Sequence, residues 1–207
     1  MTARRDFHRY LTEAEERRLL QTVRERAGGE TQAQRLARRD LHWMRLLRYT
    51  GIRVATLAGL DVADARQALA GGYLVLRDAI SKRGQGGQVF LTKKARFSLV
   101  QLLRLRRELG HAEAADAPLL MSRRRKRLSV RSLQARMRFW CDLAGIETRA
   151  SPHWWRHTLA KRLMKNSTAE DPRGIVQAAL GHRSITSTAV YTLPDKEQVI
   201  AALREVN

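Results

Sequence analysis

Helix start and stop signals cut the chain into short lengths, and that punctuation limits the folds open to it. Thr12-Glu13-Ala14-Glu15 is a capping box, in which Thr12 accepts from an amide three residues on and Glu15 reaches back. The helix it starts should end near the Gly28-Gly29 pair. A second helix, from about Thr31 to Tyr49, carries Leu36, Leu41, Met44 and Leu47 at helical spacing and stops at Gly51. A short helical segment follows from Arg53 to Ala58, and helical periodicity returns from about Lys94 to Leu109, ahead of Gly110. Ser129 caps a helix that runs to Ala144 and closes at Gly145. Ser151-Pro152 and Asp171-Pro172 each pair an N-cap with a proline at the first helical position. Two strand-like runs, Tyr73-Leu74-Val75-Leu76 and Gln88-Val89-Phe90-Leu91, flank a glycine-rich loop from Arg83 to Gly87. The expected fold is mainly α with a small antiparallel β-sheet (α+β). It is expected to form one domain over 1–207, with an N-terminal arm over 1–10 and a tail helix over 193–207.

Charge then limits the partners. Forty Lys and Arg against 20 Asp and Glu leave a formal net charge of +20, a surplus that attracts polyanions. Nothing approaches an uninterrupted apolar span of membrane length, and Met1 to Arg18 is dense in charge with no signal-peptide core. Nucleic acid in the cytoplasm, at the nucleoid, is therefore the expected partner rather than a membrane. Cys141 is the only cysteine, which excludes an intrachain disulfide and a cysteine-rich zinc site, and it reads as a core residue.

Four stretches carry residues able to do chemistry. In "TGIRVATLAGLDVAD", Arg53 stands among Ile52, Val54 and Leu57, an arrangement that calls either for an anion or for an ion pair with Asp61 or Asp64. In "SPHWWRHTLAKRL", His153 and Arg156 share a helix face. The His153/His157 spacing invites a zinc reading, but no adjacent Glu or further ligand cluster supports it. Trp154 and Trp155 read as packing residues. In "ISKRGQGGQVF", Lys82 precedes a glycine-rich turn that would let it swing toward a phosphate, or leave it an idle surface charge. Tyr191, in "ALGHRSITSTAVYTLP", is either a core ring or a nucleophile.

The order of these residues resembles the catalytic signature of the tyrosine recombinase (phage integrase) family. Gly51-Ile52-Arg53, Lys82, His153-Trp154-Trp155-Arg156-His157 and Leu180-Gly181-His182 stand in the family's order, and Tyr191 follows His182 by nine residues. "LTEAEERRLL" is similar to the opening of the family's catalytic domain. The resemblance implies a site-specific DNA recombinase that cleaves and rejoins DNA through a 3′-phosphotyrosyl intermediate on Tyr191, with no metal or other cofactor. Arg53 and Arg156 would bind the non-bridging oxygens with paired hydrogen bonds, and His182 would add a donor. His153 or His182 would take the proton of the phenol, whose ordinary pKa is about 10. Lys82, or a neighbour among Arg83, Lys93 and Lys94, would protonate the departing 5′ oxygen. One position departs from the pattern: where the family usually has an acidic residue, three after the first Arg, this chain has Thr56.

Between residues 122 and 132 lie Arg123, Arg124, Arg125, Lys126, Arg127 and Arg131, expected to contact DNA phosphates rather than to form an idle charged face. The chain resembles the short invertases that switch fimbrial genes, which carry little beyond the catalytic domain. A one-sided grip on DNA then calls for a homotetramer, or for a host DNA-bending protein, to complete it, and the apolar face of residues 196–206 is a possible docking element. Two rival readings remain at this point: a tyrosine-dependent nicking relaxase or type IB-like topoisomerase, and a non-catalytic basic DNA-binding protein.

Overall fold

Helix α2 (Gln32–Thr50) runs through the middle of the molecule, and residues on all its sides are buried, among them Leu41, Trp43, Met44, Leu46 and Leu47. A helix with buried residues all round its axis belongs inside a bundle. In this computed structural model, which describes residues 10–81, 86–148 and 150–180, α2 packs against α1 (Glu13–Arg26), α5 (Lys93–Glu108) and α7 (Trp154–Asn166). The remaining elements are α3 (Val54–Gly59), α4 (Val62–Gly71), β1 (Tyr73–Leu76), a 3₁₀ turn (Asp78–Ile80), β2 (Gly87–Phe90), α6 (Val130–Leu143) and α8 (Pro172–Leu180). This is the mainly helical fold with a small antiparallel sheet expected from the sequence.

Local signals set most boundaries. Thr12 and Glu15 form their capping box at α1, and Thr31 with Gln34 forms a second at α2. Asp171 accepts from the Gly174 amide at 2.9 Å, directly ahead of Pro172 at the first position of α8. Gly51 ends α2 in the left-handed region, φ 63°, its N–H bonded to the Leu47 carbonyl at 2.8 Å.

Two departures from the sequence reading exceed a single residue. Helix α7 begins at Trp154 with His153 as its N-cap, because Ser151 to Trp154 first close a separate turn through a 2.9 Å Trp154 N–H to Ser151 carbonyl bond. Helix α4 has no counterpart among the expected elements. Asp64 reaches back to the Asp61 N–H at 2.8 Å to cap it, and Val62, Ala65 and Ala68 form its buried stripe. Small residues bury little area each, so the stripe carries a weak hydrophobic signal.

The two strands pair Tyr73 with Phe90 and Leu76 with Gly87, putting Leu74 in the core and Tyr73 and Val75 outside. Trp155 is fully buried, Trp154 packs against the same core, and Cys141 is buried with its thiol pushed up to about 12, chiefly by burial. A smaller apolar cluster of Ala160, Val176 and Leu180, flanked by Leu159, Leu163 and Met164, joins α7 to α8.

Candidate active site

Arg156 organises the site. Its side chain leaves the first turn of α7 and is only 4% exposed. One guanidinium nitrogen donates to the Gly51 carbonyl at 2.6 Å and the other to the Leu180 carbonyl at 2.5 Å. The Gly51 carbonyl lies at the C-terminal end of α2, where carbonyls lack intrahelical partners and the helix dipole favours a cation, and the Leu180 carbonyl belongs to α8. Arg156 thereby holds together two chain positions far apart in sequence: one lies two residues before Arg53, the other two before His182.

Gly51 makes this approach feasible in two ways. Its φ of 63° suits glycine. In addition, a Cβ there would stand 2.6 Å from Leu180 Cδ2 and 2.9 Å from Leu159 Cδ2, inside any normal contact. Beyond Gly51 the chain turns extended, and Arg53 becomes the N-cap of α3 without a side-chain capping bond. Half-buried, its guanidinium makes no hydrogen bond or ion pair with the described residues. The carboxylates the sequence offered it are engaged elsewhere: Arg77 binds Asp64 at 2.8 Å and Asp61 at 2.6 Å, and Arg127 binds Asp61 at 2.7 Å. Arg53 therefore keeps its full donor fork for an anion from outside.

His153 is exposed at the head of α7, one helical turn before Arg156, with its ring edge-on to His157 at 4.7 Å between centroids. Among the described residues no group of three or more His, Cys, Asp or Glu could hold a metal ion. Lys82, His182 and Tyr191 lie outside the described residues, as does the tail 193–207.

The sequence pattern of the phage integrase family matches residues 9–198. The chain belongs to that family. It is 35% identical over 158 residues to the tyrosine recombinase XerC of Haemophilus ducreyi, covering 74% of this chain and 47% of that protein. It is 31% identical over 157 residues to XerC of Vibrio cholerae serotype O1, covering 76% and 47%. The chain thus spans about half the length of the curated relatives it matches. Its fold is that of the crystal structure of XerA recombinase, with a TM-score of 0.73 and 24% identity over 98% of this chain and 66% of that one. A lambda integrase (75–356) dimer bound to a COC′ core site aligns with a TM-score of 0.62 at 21% identity, covering 92% of this chain and 60% of that one.

In this family member the basic run forms a tight turn between two short extended segments. Met121 bridges Arg127, and the Ser122 N–H bonds the Lys126 carbonyl at 2.8 Å. Arg123, Arg124, Arg125 and Lys126 are exposed on the turn, with Arg125 at φ 57°, and Arg131 is exposed on the first turn of α6. Arg127 differs from its neighbours, because its guanidinium is taken up by Asp61 and by the carbonyls of Ala58 and Leu60 at 3.2 Å. It braces the turn against the end of α3.

The structure also brings in residues that sequence reasoning passed over. Asp40 is fully buried on α2, where one carboxylate oxygen accepts from Arg39 and Trp43 and the other from Arg136 and Trp140. Arg39 in turn donates to the Met121 carbonyl at 2.7 Å, so this one acid joins α2, α6 and the base of the basic turn. A signal was present: Asp40 falls on the stripe of Trp43, Met44 and Leu47, where an acid must find partners. Thr56, already marked in the sequence as a departure from the family pattern, makes a contact the sequence did not show. Its hydroxyl donates to the Ile80 carbonyl at 3.2 Å instead of turning toward Arg53.

Proposed function

We propose that this chain is the catalytic domain of a site-specific DNA recombinase that cuts and rejoins double-stranded DNA through Tyr191. The observation that carries the reading is the Arg156 clasp, one buried guanidinium bonded to the carbonyls two residues before Arg53 and two before His182. A phosphodiester bound there meets Arg53 with its donors unspent, and attack at phosphorus builds negative charge on the non-bridging oxygens that both arginines stabilise. The phenol oxygen of Tyr191 forms the new bond to phosphorus, and its proton passes to His153 or His182. The bond from phosphorus to the 5′ oxygen breaks, and Lys82 gives that oxygen a proton. The products are a 3′-phosphotyrosyl enzyme and a free 5′-hydroxyl, which in reverse attacks the same phosphorus and releases the tyrosine. Atoms and charge balance in this step without a metal or a nucleotide.

Several features support DNA as the substrate. The net charge is +20, the turn of Arg123 to Lys126 projects with Arg131 nearby, and a lambda integrase of the same fold is described bound to its core site. Each phosphate the basic surface neutralises should add about 0.9 to the salt slope of binding. Exchange of strands between two sites calls for four copies of the chain on DNA, acting at the nucleoid. Among the described residues no helix is long and apolar enough to cross a membrane.

The test uses nicked suicide duplexes cut from the DNA flanking the gene. Wild type should yield a denaturation-resistant protein–DNA adduct that Tyr191→Phe does not, and two labelled duplexes should exchange strands. Relaxation of supercoils without exchange would indicate a topoisomerase. No adduct on any flanking duplex would leave a DNA-binding protein without the reaction.

A further inference from the structure

The seam where α2 packs on α5 carries aromatic rings and uncompensated cations on its outer side. The two helices run antiparallel, so that Arg38 meets Glu108 at one end, Arg45 meets Phe97 in the middle and Tyr49 meets Lys94 at the other end. Phe97 is 50% exposed, and Val100, one turn further along α5, is 45% exposed. The Arg45 guanidinium lies over the Phe97 ring, 5.8 Å from its centroid, and the Lys94 ammonium lies 5.9 Å from the centroid of Tyr49. Arg45, Lys93 and Lys94 make no hydrogen bond or ion pair with the described residues. No Asp or Glu occurs in residues 41–50 or 93–107 to neutralise them. Lys93 and Lys94 also stand in the first turn of α5, which has no acidic residue, and there the helix dipole disfavours a cation and favours an anion.

We infer that this seam is a binding track for single-stranded DNA, in which Phe97 stacks on a base and Arg45, Lys93 and Lys94 contact the phosphates beside it. An exposed ring stacks on any base, and flanking cations follow the backbone. Duplex DNA keeps its base faces stacked on one another and has none to offer Phe97. An apolar protein surface laid over the ring would bury three cations without partners, which is costly. The track ends at Tyr49, four residues before Arg53, and so approaches the end of α2 on which the candidate site is built. On the recombinase reading, a cut strand with a free 5′-hydroxyl must leave its duplex beside that site, and the track gives it a place to lie. That use rests on the recombinase reading, whereas the binding itself does not.

The experiment measures fluorescence anisotropy of two labelled 12-mers with the full chain, one of thymidines and one of abasic nucleotides with the same phosphates. Stacking of one base on one ring is worth about 5- to 150-fold. Phe97→Ala should therefore weaken binding of the thymidine strand by at least about 5-fold and change binding of the abasic strand by less than about 2-fold. Phe97→Trp, which keeps a stacking surface, should bind the thymidine strand at least as tightly as wild type. Lys94→Ala should weaken both strands alike and lower the salt slope by about 0.7, the value for one phosphate on a single strand. Unchanged binding of the abasic strand by Phe97→Ala also reports an intact fold. Equal losses on both strands, or a loss with Phe97→Trp as large as with Phe97→Ala, overturn the inference. A 12-base-pair duplex that loses as much as the thymidine strand in Phe97→Ala overturns it in favour of a duplex contact. Thymidine binding indifferent to Phe97 overturns it too and leaves the ring to a protein partner. None of these results touches the recombinase reading, which stands or falls on the Tyr191 adduct.

Discussion

Replacing Gly51 with alanine tests how Arg53 and Arg156 are brought together. Two costs add. An L-residue at φ 63° pays about 1–2 kcal/mol for left-handed backbone. Its methyl would also lie 2.6 Å from Leu180 Cδ2 and 2.9 Å from Leu159 Cδ2, in a small cluster where overpacking costs about 1–3 kcal/mol. Together they come to about 2–5 kcal/mol, or roughly 4–20 °C in Tm for a chain of this size. Gly145 provides the control. It has φ 61° but open space where a methyl would stand, so Gly145→Ala should pay only the backbone cost of about 1–2 kcal/mol. Urea denaturation of both variants beside wild type isolates the packing cost. Adduct formation should fall further in Gly51→Ala than in Gly145→Ala, because a displaced Gly51 carbonyl moves the Arg156 clasp. Equal destabilisation by the two substitutions would refute the close packing of α2 against α7 and α8 on which the site is built.

Three further outcomes follow from particular contacts. Asp40→Asn leaves Arg39 and Arg136 without their buried carboxylate, and a loss of about 3–5 kcal/mol in urea denaturation is expected; an unchanged midpoint would contradict the network. Arg156→Lys replaces a fork that reaches two carbonyls with a single ammonium, so cleavage should drop about 10²–10³-fold with the protein still folded, as read by adduct yield and circular dichroism. His42 is buried, and burial first, then Arg45 and Arg38, hold its pKa down to about 4. The unfolded chain then takes up a proton below its ordinary value of about 6.5 while the folded one does not, so stability from this group is lost as pH falls from there toward about 4. His42→Phe should lose less stability than wild type across that interval in acid-titrated urea melts; parallel pH profiles would argue against a neutral buried imidazole.

Much of the architecture was legible because its signals act within a few residues of chain. Thr12 reaches Glu15, Asp171 reaches Gly174, and Gly51 bonds Leu47, each pair close enough to be read as a spacing. The family signature was legible for a different reason: its motifs stand in a fixed order along the chain, and the family pattern matches residues 9–198. Helix α4 escaped because alanines give a faint stripe, and the true start of α7 escaped because a proline-containing turn resembles a helix start.

By itself, the sequence determined most of the helix starts and stops, the hairpin, the basic surplus and the residue types able to hold a phosphate. Tertiary structure alone decided what those residues touch. Arg156 reaches Gly51 across 105 residues, Asp40 meets Trp140 across 100, and Thr56 bonds Ile80 instead of facing Arg53. Caps and turns are satisfied by neighbours the backbone already places within reach. The partner of a buried charge or hydroxyl is set only when helices pack, because water, its partner in the unfolded chain, must then be replaced by whichever group the packing brings to that point.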